Sequence, residues 1–437
     1  MSKFRQLVFV GLSGGVDSAV AAALLKQATP NNFSKLFGRP TPNGFKGYDV
    51  VGIHLRCFSA YGGFAFGGNA KECAEDDAED ARRAAETIGI PFYVFDFETE
   101  YKKRVVQYMV AGYRRGITPN PDVMCNKEIK FGLFLEKARA LGADYVATGH
   151  YVRLGGQGIK HRQRFSKSLN PKSHTLSIAC DKNKDQSYFL WTLTQAQLKH
   201  CLFPLGNYLK SEVRALARKF NLPNAAKKDS QGICFLGRVT LADFLKDYIP
   251  EQPGAVFTTT GEKIGEHRGA SYYTIGQRHG LNLGIKYPSR PPSASDRPRG
   301  ASPARSRPDI RPHYVAAKDM AANTLLVAEG KDNPILYKKE IGLTEVNFIN
   351  PCRAIEQSSQ SRAVYARIRY RQPLFPALLS PANSHELDNK GKRSGRASSL
   401  FWKLVFKAPQ KFVASGQSAV FYDKRGVMLG GGIIVAN

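Results

Sequence analysis

Short apolar runs alternate with helix-like stretches through the first half of the chain. Gln6–Val10 reads as a buried strand, a Gly/Ser loop follows, and Ala19–Gln27 has the pattern of a helix. Val50–Leu55 is a second apolar strand, and an Ala/Glu/Arg-rich helix covers about Glu75–Ile88. Phe92–Phe95 is a third strand, Phe131–Leu141 is helical again, and Tyr145–Thr148 is a fourth strand. Strands alternating with helices predict an α/β fold with a doubly wound parallel sheet. Ligands of such sheets sit outside the carboxyl ends of the strands. The loops starting at Gly11, His54, Asp96 and Gly149 should therefore face one crevice.

After about Leu245 the segments become short and β-rich: Gly254–Phe257, Ser271–Ile275, Tyr314–Ala316 and Thr324–Val327. From about Ile341 the alternating stretches Ala363–Tyr370, Phe401–Phe406 and Ser418–Tyr422 predict a small β-barrel. The expected organisation is a catalytic domain at 1–245, a central β-rich domain at 246–340 and a C-terminal barrel at 341–437. Residues 286–312, with seven Pro and seven Lys or Arg against two Asp, read as a disordered insert, as do residues 380–399. Residues 28–48 and 156–174 read as shorter insertions.

Charge changes the picture. Sixty-four basic against 36 acidic residues give a net charge of +28, which predicts a polyanionic partner, most simply nucleic acid. The 286–312 insert supplies only a small part of that excess. No apolar run approaches the roughly 20 residues of a membrane span, so no membrane is expected. The seven cysteines (Cys57, Cys73, Cys125, Cys180, Cys201, Cys234 and Cys352) are odd in number, scattered, and include no CxxC pair. That pattern supports neither a disulfide framework nor a zinc ribbon, and leaves buried apolar thiols or one or two reactive ones. The first five residues carry Lys3 and Arg5 without an acid, too short a stretch for a full transit peptide before the first strand.

Two regions carry chemistry. The first is Gly11-Leu12-Ser13-Gly14-Gly15-Val16-Asp17-Ser18, between a strand and a helix. Glycines there let backbone amides approach phosphate oxygens, and the helix N-terminus adds partial positive charge. Ser13 and Ser18 offer hydroxyls, and Asp17 is suited to hold Mg²⁺ or cap the helix. The loop has neither GxxxxGK[ST] nor GxGxxG, so it is neither a Walker A nor a dinucleotide loop. It resembles the pyrophosphate loop of ATP pyrophosphatases, which split ATP to AMP and pyrophosphate. The second region is Thr118-Pro-Asn-Pro-Asp-Val-Met-Cys125-Asn-Lys-Glu-Ile-Lys-Phe131. Its prolines fix an extended approach, and Cys125 is expected at the entrance of a helix near Lys127 and Lys130, an environment that favours thiolate. Asp122 is a candidate proton donor or acceptor. Cys234 lies in a polar, Gly-containing stretch, Lys228 to Gly237, that suits a mobile sulfur carrier.

Taken together, GLSGGVDS, TPNPDVMCNKEIKFG, ATGHYVR, DKNKDQSYFL, DSQGICFLG, YYTIGQRHGLNLG, ARIRYRQ and SGQSAVFYD resemble, in order, the tRNA-specific 2-thiouridylase family (MnmA/TrmU) over nearly the whole chain outside the inserts. The resemblance implies an ATP-pyrophosphatase domain of the adenine nucleotide alpha hydrolase type. It implies ATP and Mg²⁺ at Gly11–Ser18, with Leu55 and Gly149 on the adenosine side and Asp17 as metal ligand. The wobble uridine of a tRNA would be adenylated and then thiolated. Cys234 would carry the persulfide, received from a sulfur-donor protein. Cys125 would free the sulfur through a transient Cys125–Cys234 disulfide, with Asp122 as acid/base. Contacts to the anticodon loop are implied for Asn120, Pro121, Asp122, His150, Lys184, Asp185, Gln186, Arg369, Tyr370 and Gln417. A monomer is expected.

Departures are the loop His54-Leu-Arg-Cys57-Phe58, where Met and Trp-like residues are expected, and the inserts. The inserts suggest a eukaryotic, mitochondrial protein; a bacterial source would make it cytoplasmic. A lysidine synthetase would need neither Cys125 nor Cys234, and a non-catalytic RNA-binding protein would need no intact loop.

Overall fold

The structure, a computed structural model, describes residues 5–34, 41, 44–57, 69–155, 173–228, 240–284, 311–349, 361–382 and 401–435, with backbone alone for 69–75. The first strands are β1 (Gln6–Gly11), β2 (Tyr48–Arg56), β3 (Phe92–Asp96), β4 (Tyr145–Ala147), β5 (Arg153–Gly155), β6 (Thr175–Ser177) and β7 (Cys201–Leu202). Five of them form a parallel sheet in the order β3-β2-β1-β4-β7. Strand order reverses between β1 and β4, so a ligand crevice is expected at their carboxyl ends.

Helix Val16–Lys26 packs on this sheet with nearly every side chain buried; its Ala-rich sequence allows close approach, and its charged ends, Asp17 and Lys26, complement the helix dipole. It begins before the expected Ala19, because Gly15 in an extended conformation serves as its N-cap. Residues 28–48, expected as an insertion, contribute to the core: Phe33 and Phe45 lie 4.7 Å apart and Phe45 and Tyr48 4.9 Å apart, edge to face.

The central sheet has the order β10-β9-β8-β12-β11, built from β8 (Gly254–Thr258), β9 (Lys263–His267), β10 (Asn282–Leu283), β11 (His313–Asp319) and β12 (Thr324–Glu329). The expected strand Ser271–Ile275 is instead a tight turn at Ala270–Tyr272. Tyr272 and Tyr273 are both buried. The barrel closes in the order β13-β16-β15-β14-β17-β18, from β13 (Tyr337–Phe348), β14 (Arg362–Arg367), β15 (Phe375–Ala382), β16 (Phe401–Lys411), β17 (Ser418–Tyr422) and β18 (Met428–Val435). Closure removes the exposed edges an open sheet would carry. Of the inserts, 285–310 and 383–400 lie outside the described residues, as do 156–172.

One hydrophobic cluster spans the three units: Tyr188 and Trp191, after β6, belong to it together with Val256 and Val315 of the central sheet and Val420 and Tyr422 of the barrel.

Candidate functional site

The loop after β1 and the loop after β4 meet at the point where strand order reverses. Leu12 N–H donates to Ile53 O of β2 at 2.8 Å, which fixes the start of the loop against the sheet. Gly14 has φ of +73°, and a Cβ there would lie 2.3 Å from Asp77 O, so helix Asn69–Ile88 closes on the bare glycine backbone. Gly149, after β4, lies equally close to the other side: a Cβ there would be 2.7 Å from Ser18 N. Gly11 to Ser18 and Gly149 are thus one assembly. The Ser18 hydroxyl donates to Gly15 O at 3.1 Å and accepts from Ser13 N–H at 3.1 Å, holding the turn from inside. Leu55 is on β2, half-buried and paired with Phe95 of β3.

Asp17 does not cap the helix. Its Oδ1 accepts from the Tyr151 hydroxyl at 2.8 Å and from Lys210 Nζ at 2.6 Å. Asn224 Nδ2 donates to Gly14 O at 3.0 Å, and Lys227 Nζ bridges Asp77 and Asp80 at 2.6 Å each. Sequence reasoning missed Tyr151, Lys210, Asn224 and Lys227. Tyr151 lies inside the ATGHYVR motif, so adjacency to Gly149 and His150 was an available signal; the others carried none.

One loop joins the turn Gly11–Ser18 to the Cys125 segment. Gly149 touches Ser18, and the next residue, His150, is buried with its ring 6.0 Å from Phe131 and 6.3 Å from Phe203. Burial first, and then the Lys130 charge, push the His150 imidazole well below its ordinary range, so it is neutral at pH 7. Its Nδ1 lies 2.8 Å from the Thr148 hydroxyl. Phe131 belongs to a widened helical segment, Asn126–Leu133, that follows Cys125 directly. At Gly132 the chain passes close to the preceding turn, where a Cβ would approach Lys127 O to 2.9 Å.

Cys125 is buried and lies further into its helix than expected. The helix starts at Pro121, with the Asn120 side chain accepting from Val123 N–H at 3.2 Å. Cys125 is therefore beyond the first turn, where the field of a helix terminus has largely fallen off. The correction follows from Asn120 being the N-cap. Asp122 is half-buried in the first turn. Cys234 lies outside the described residues; the described thiols Cys125, Cys180 and Cys201 are not in disulfides.

All three units grip the segment that leads into Asn120. Thr118 N–H donates to Ser415 O at 2.8 Å, and the Thr118 hydroxyl bonds that of Thr274, from the central unit, at 3.1 Å. Gln417 Nε2 donates to Thr118 O and Pro119 O at 3.0 and 3.2 Å. Arg369 Nη2 donates to Ile275 O at 3.0 Å and Phe412 O at 2.7 Å, and Tyr370 packs 4.6 Å from Phe189. Asn120, Pro121, Arg369, Tyr370 and Gln417 thus converge on one junction. In this arrangement the Arg369 guanidinium and the Gln417 amide are engaged with protein carbonyls.

Lys184 to Gln186 form a second group. Lys184 is half-buried, and Gln186 Oε1 accepts from Tyr151 N–H at 3.0 Å. Asp185, expected to face RNA, is instead 2% exposed. Its carboxylate pairs with Arg367 of the barrel and accepts from Ala179 N–H, Ser187 N–H and the Ser187 hydroxyl. Arg367 also donates to the Tyr422 hydroxyl at 2.9 Å. This buried pair joins the parallel-sheet unit to the barrel.

Family models match along the chain: one described as tRNA methyl transferase HUP domain at residues 44–238, one as tRNA methyl transferase PRC-barrel domain at 242–329, and one as aminomethyltransferase beta-barrel domain at 396–434. The tRNA-specific 2-thiouridylase MnmA of Thiobacillus denitrificans is 42% identical over 428 residues, 98% of this chain and 99% of that protein. The protein of the same name from Bacillus licheniformis is 40% identical over 429 residues, 98% and 94% of the two chains. Among solved structures, the U34-tRNA thiolase NcsA from Methanococcus maripaludis overlaps 56% of this chain and 67% of its own at 18% identity, with a TM-score of 0.28, a likeness too low to argue from.

Proposed function

The chain belongs to the tRNA-specific 2-thiouridylase family, and from that premise we propose which of its residues carry the reaction. The protein is a sulfurtransferase that modifies tRNA. ATP is read into the loop Gly11–Ser18, with Gly149 and Leu55 beside it. The 2-carbonyl oxygen of the wobble uridine attacks the α-phosphorus, and the bond to pyrophosphate breaks. A uridine carbonyl carbon is a poor electrophile, and adenylation converts its oxygen into a leaving group. The terminal sulfur of a Cys234 persulfide then attacks C2, the C2–O bond breaks, and AMP departs. Cys125 attacks the Cys234 sulfur, releasing 2-thiouridine and leaving a Cys125–Cys234 disulfide for a dithiol to reduce.

The observation that carries this reading is the continuity from Ser18 through Gly149 and His150 to Phe131 of the Cys125 segment. It supports reading nucleotide chemistry and thiol chemistry as parts of one site. Asp122 is read as the proton donor or acceptor.

Mg²⁺ fits the loop: the cation takes one or two carboxylates and fills its shell with phosphate oxygens, so Asp17 with the substrate's phosphates would suffice. When bound it would offset phosphate charge. Among the described residues no cluster of three carboxylate, His or Cys side chains competes for it.

The tRNA would enter at the junction of Asn120, Pro121, Arg369, Tyr370 and Gln417, with Lys184, Gln186 and His150 nearby. Extruding the wobble base costs a few kcal/mol, least in a single-stranded anticodon loop. A persulfide-carrying protein would load Cys234, and the enzyme would act as a monomer. The relatives compared above are bacterial. The mitochondrial expectation rested on inserts that lie almost wholly outside the described residues. No helix among the described residues is long and apolar enough to cross a membrane.

The test replaces Cys125 by Ser in the full chain. Formation of 2-thiouridine in tRNA should stop, while tRNA-dependent exchange of pyrophosphate into ATP persists. Unchanged thiolation in the variant would remove Cys125 from the mechanism.

A further inference from the structure

Adenylation expels pyrophosphate, a multiply charged leaving group, yet the loop from Gly11 to Ser18 contains no cationic side chain. P-loop enzymes carry such a lysine within the loop itself. Here an ammonium group arrives from elsewhere in the fold. Lys210 is the first residue of helix Lys210–Lys219, which follows β7, the strand next to β4. Its Nζ reaches 2.6 Å from Asp17 Oδ1, in the first turn of the helix that the phosphate loop opens, and its side chain is only 13% exposed. Lys227 is also near, but it is bound between two carboxylates, Asp77 and Asp80.

The backbone beneath Lys210 is held in place. Its N–H donates to Asp181 Oδ2 at 2.9 Å, and Asp181 Oδ1 in turn accepts from Asn183 N–H and Lys184 N–H. The other partner of Asp17, Tyr151, is fastened to the same stretch through Gln186, both backbone to backbone and backbone to side chain. Residues 181–186 therefore fix both groups that touch Asp17.

We propose that Lys210 is the phosphate-binding cation of this loop, parked on Asp17 when the loop is empty and transferred to the β-phosphate side when ATP binds. The proposal rests on the reading of Gly11–Ser18 as the ATP site. The exchange has a simple electrostatic logic. Asp17 cannot serve a metal ion while its oxygen neutralises Lys210, and a phosphate oxygen is the stronger partner for the ammonium once ATP is present. Releasing the pair frees the carboxylate and supplies a positive charge where negative charge develops in the transition state.

The test measures binding of inorganic pyrophosphate, and separately of AMP, to the full-length protein by titration calorimetry. Lys210→Met should weaken pyrophosphate about 10- to 100-fold, the loss of one charge-assisted contact, and leave AMP within about threefold. Lys210→Arg should retain most of the pyrophosphate affinity. Should Lys210→Met fold poorly, because Asp17 loses its partner, the comparison moves to Asp17→Asn against Asp17→Asn/Lys210→Met. The first should bind metal-free pyrophosphate at least as tightly as the wild type, and the second should lose that affinity. Equal pyrophosphate binding with and without the Lys210 amine would make the contact a structural ion pair and overturn the proposal. A wild-type protein that binds neither pyrophosphate nor ATP would instead refute the assignment of the loop.

Discussion

Removing the Asp185 carboxylate should destabilise the fold rather than weaken its grip on RNA. Asp185 and Arg367 are 2% and 6% exposed at their side chains, and the pair crosses from the parallel-sheet unit to the barrel. Each charge has left water, and each is compensated by the other: Asp185 also accepts from Ala179 and Ser187, and Arg367 donates to Ser187 and Tyr422. Asp185→Ala leaves the guanidinium buried with hydroxyls alone. Breaking a buried pair from one side costs about 3–5 kcal/mol. At about 2–4 °C per kcal/mol for a unit of this size, the melting transition should fall by roughly 6–20 °C. Replacing both partners, Asp185→Leu with Arg367→Met, removes both charges and should recover much of the loss, since apolar replacements of buried pairs are often near neutral. Circular dichroism melts of the wild type and the two variants, with KM for tRNA measured well below the transition, complete the test. If Asp185→Ala melts within about 1 °C of the wild type while KM for tRNA rises tenfold, Asp185 faces RNA and the account of this junction is wrong.

Other expectations follow from buried ionisable groups. The His150 pKa is lowered by burial, so below its ordinary value of 6.5 the unfolded chain takes up a proton that the folded one refuses. Its contribution makes stability highest above pH 6.5 and diminishes it as pH falls; His150→Gln should flatten the slope of the urea midpoint between pH 7.5 and 5.5, and an unchanged slope would exclude this residue as its source. Burial brings the Lys318 ammonium down to about 8 from 10.5, with its Nζ donating to Tyr273 O at 2.7 Å. Folding therefore strains a charged Lys318 at pH 7 and stops doing so as pH rises from 8 to 10.5. Lys318→Met should raise the melting temperature at pH 7 and lose that advantage near pH 10.5; a lower melting temperature at pH 7 would mean that the bond to Tyr273 outweighs desolvation.

The parallel sheet was legible in the sequence because its inner strands are largely covered on both faces. Such strands read as continuous apolar runs, as in Leu7–Val10 and Val50–Ile53. β7 was missed because Cys201–Leu202 is too short to make a pattern. The turn Gly11–Ser18 between strand and helix was legible because its signal is local: glycine, serine and a helix start all lie within a few residues. Its side-chain partners were not, since Tyr151, Lys210 and Asn224 are separated from it by 134, 193 and 210 residues. Asp185 was assigned to RNA for the same reason, because nothing in the local Lys-Asp-Gln motif reveals that Arg367 closes on it from 182 residues away. The position of Cys125 was misjudged by one helical turn, because Asn120 rather than a later residue caps the helix.

The most direct test of the central claim follows the fate of one oxygen atom. A tRNA carrying ¹⁸O at C2 of its wobble uridine is incubated with the purified protein, ATP and a persulfide donor, and the AMP and the nucleosides are analysed by mass spectrometry. Adenylation followed by sulfur attack carries the label into the phosphate of AMP, one labelled AMP for each 2-thiouridine formed. Formation of 2-thiouridine with unlabelled AMP, or of AMP with the label still in uridine, would contradict it.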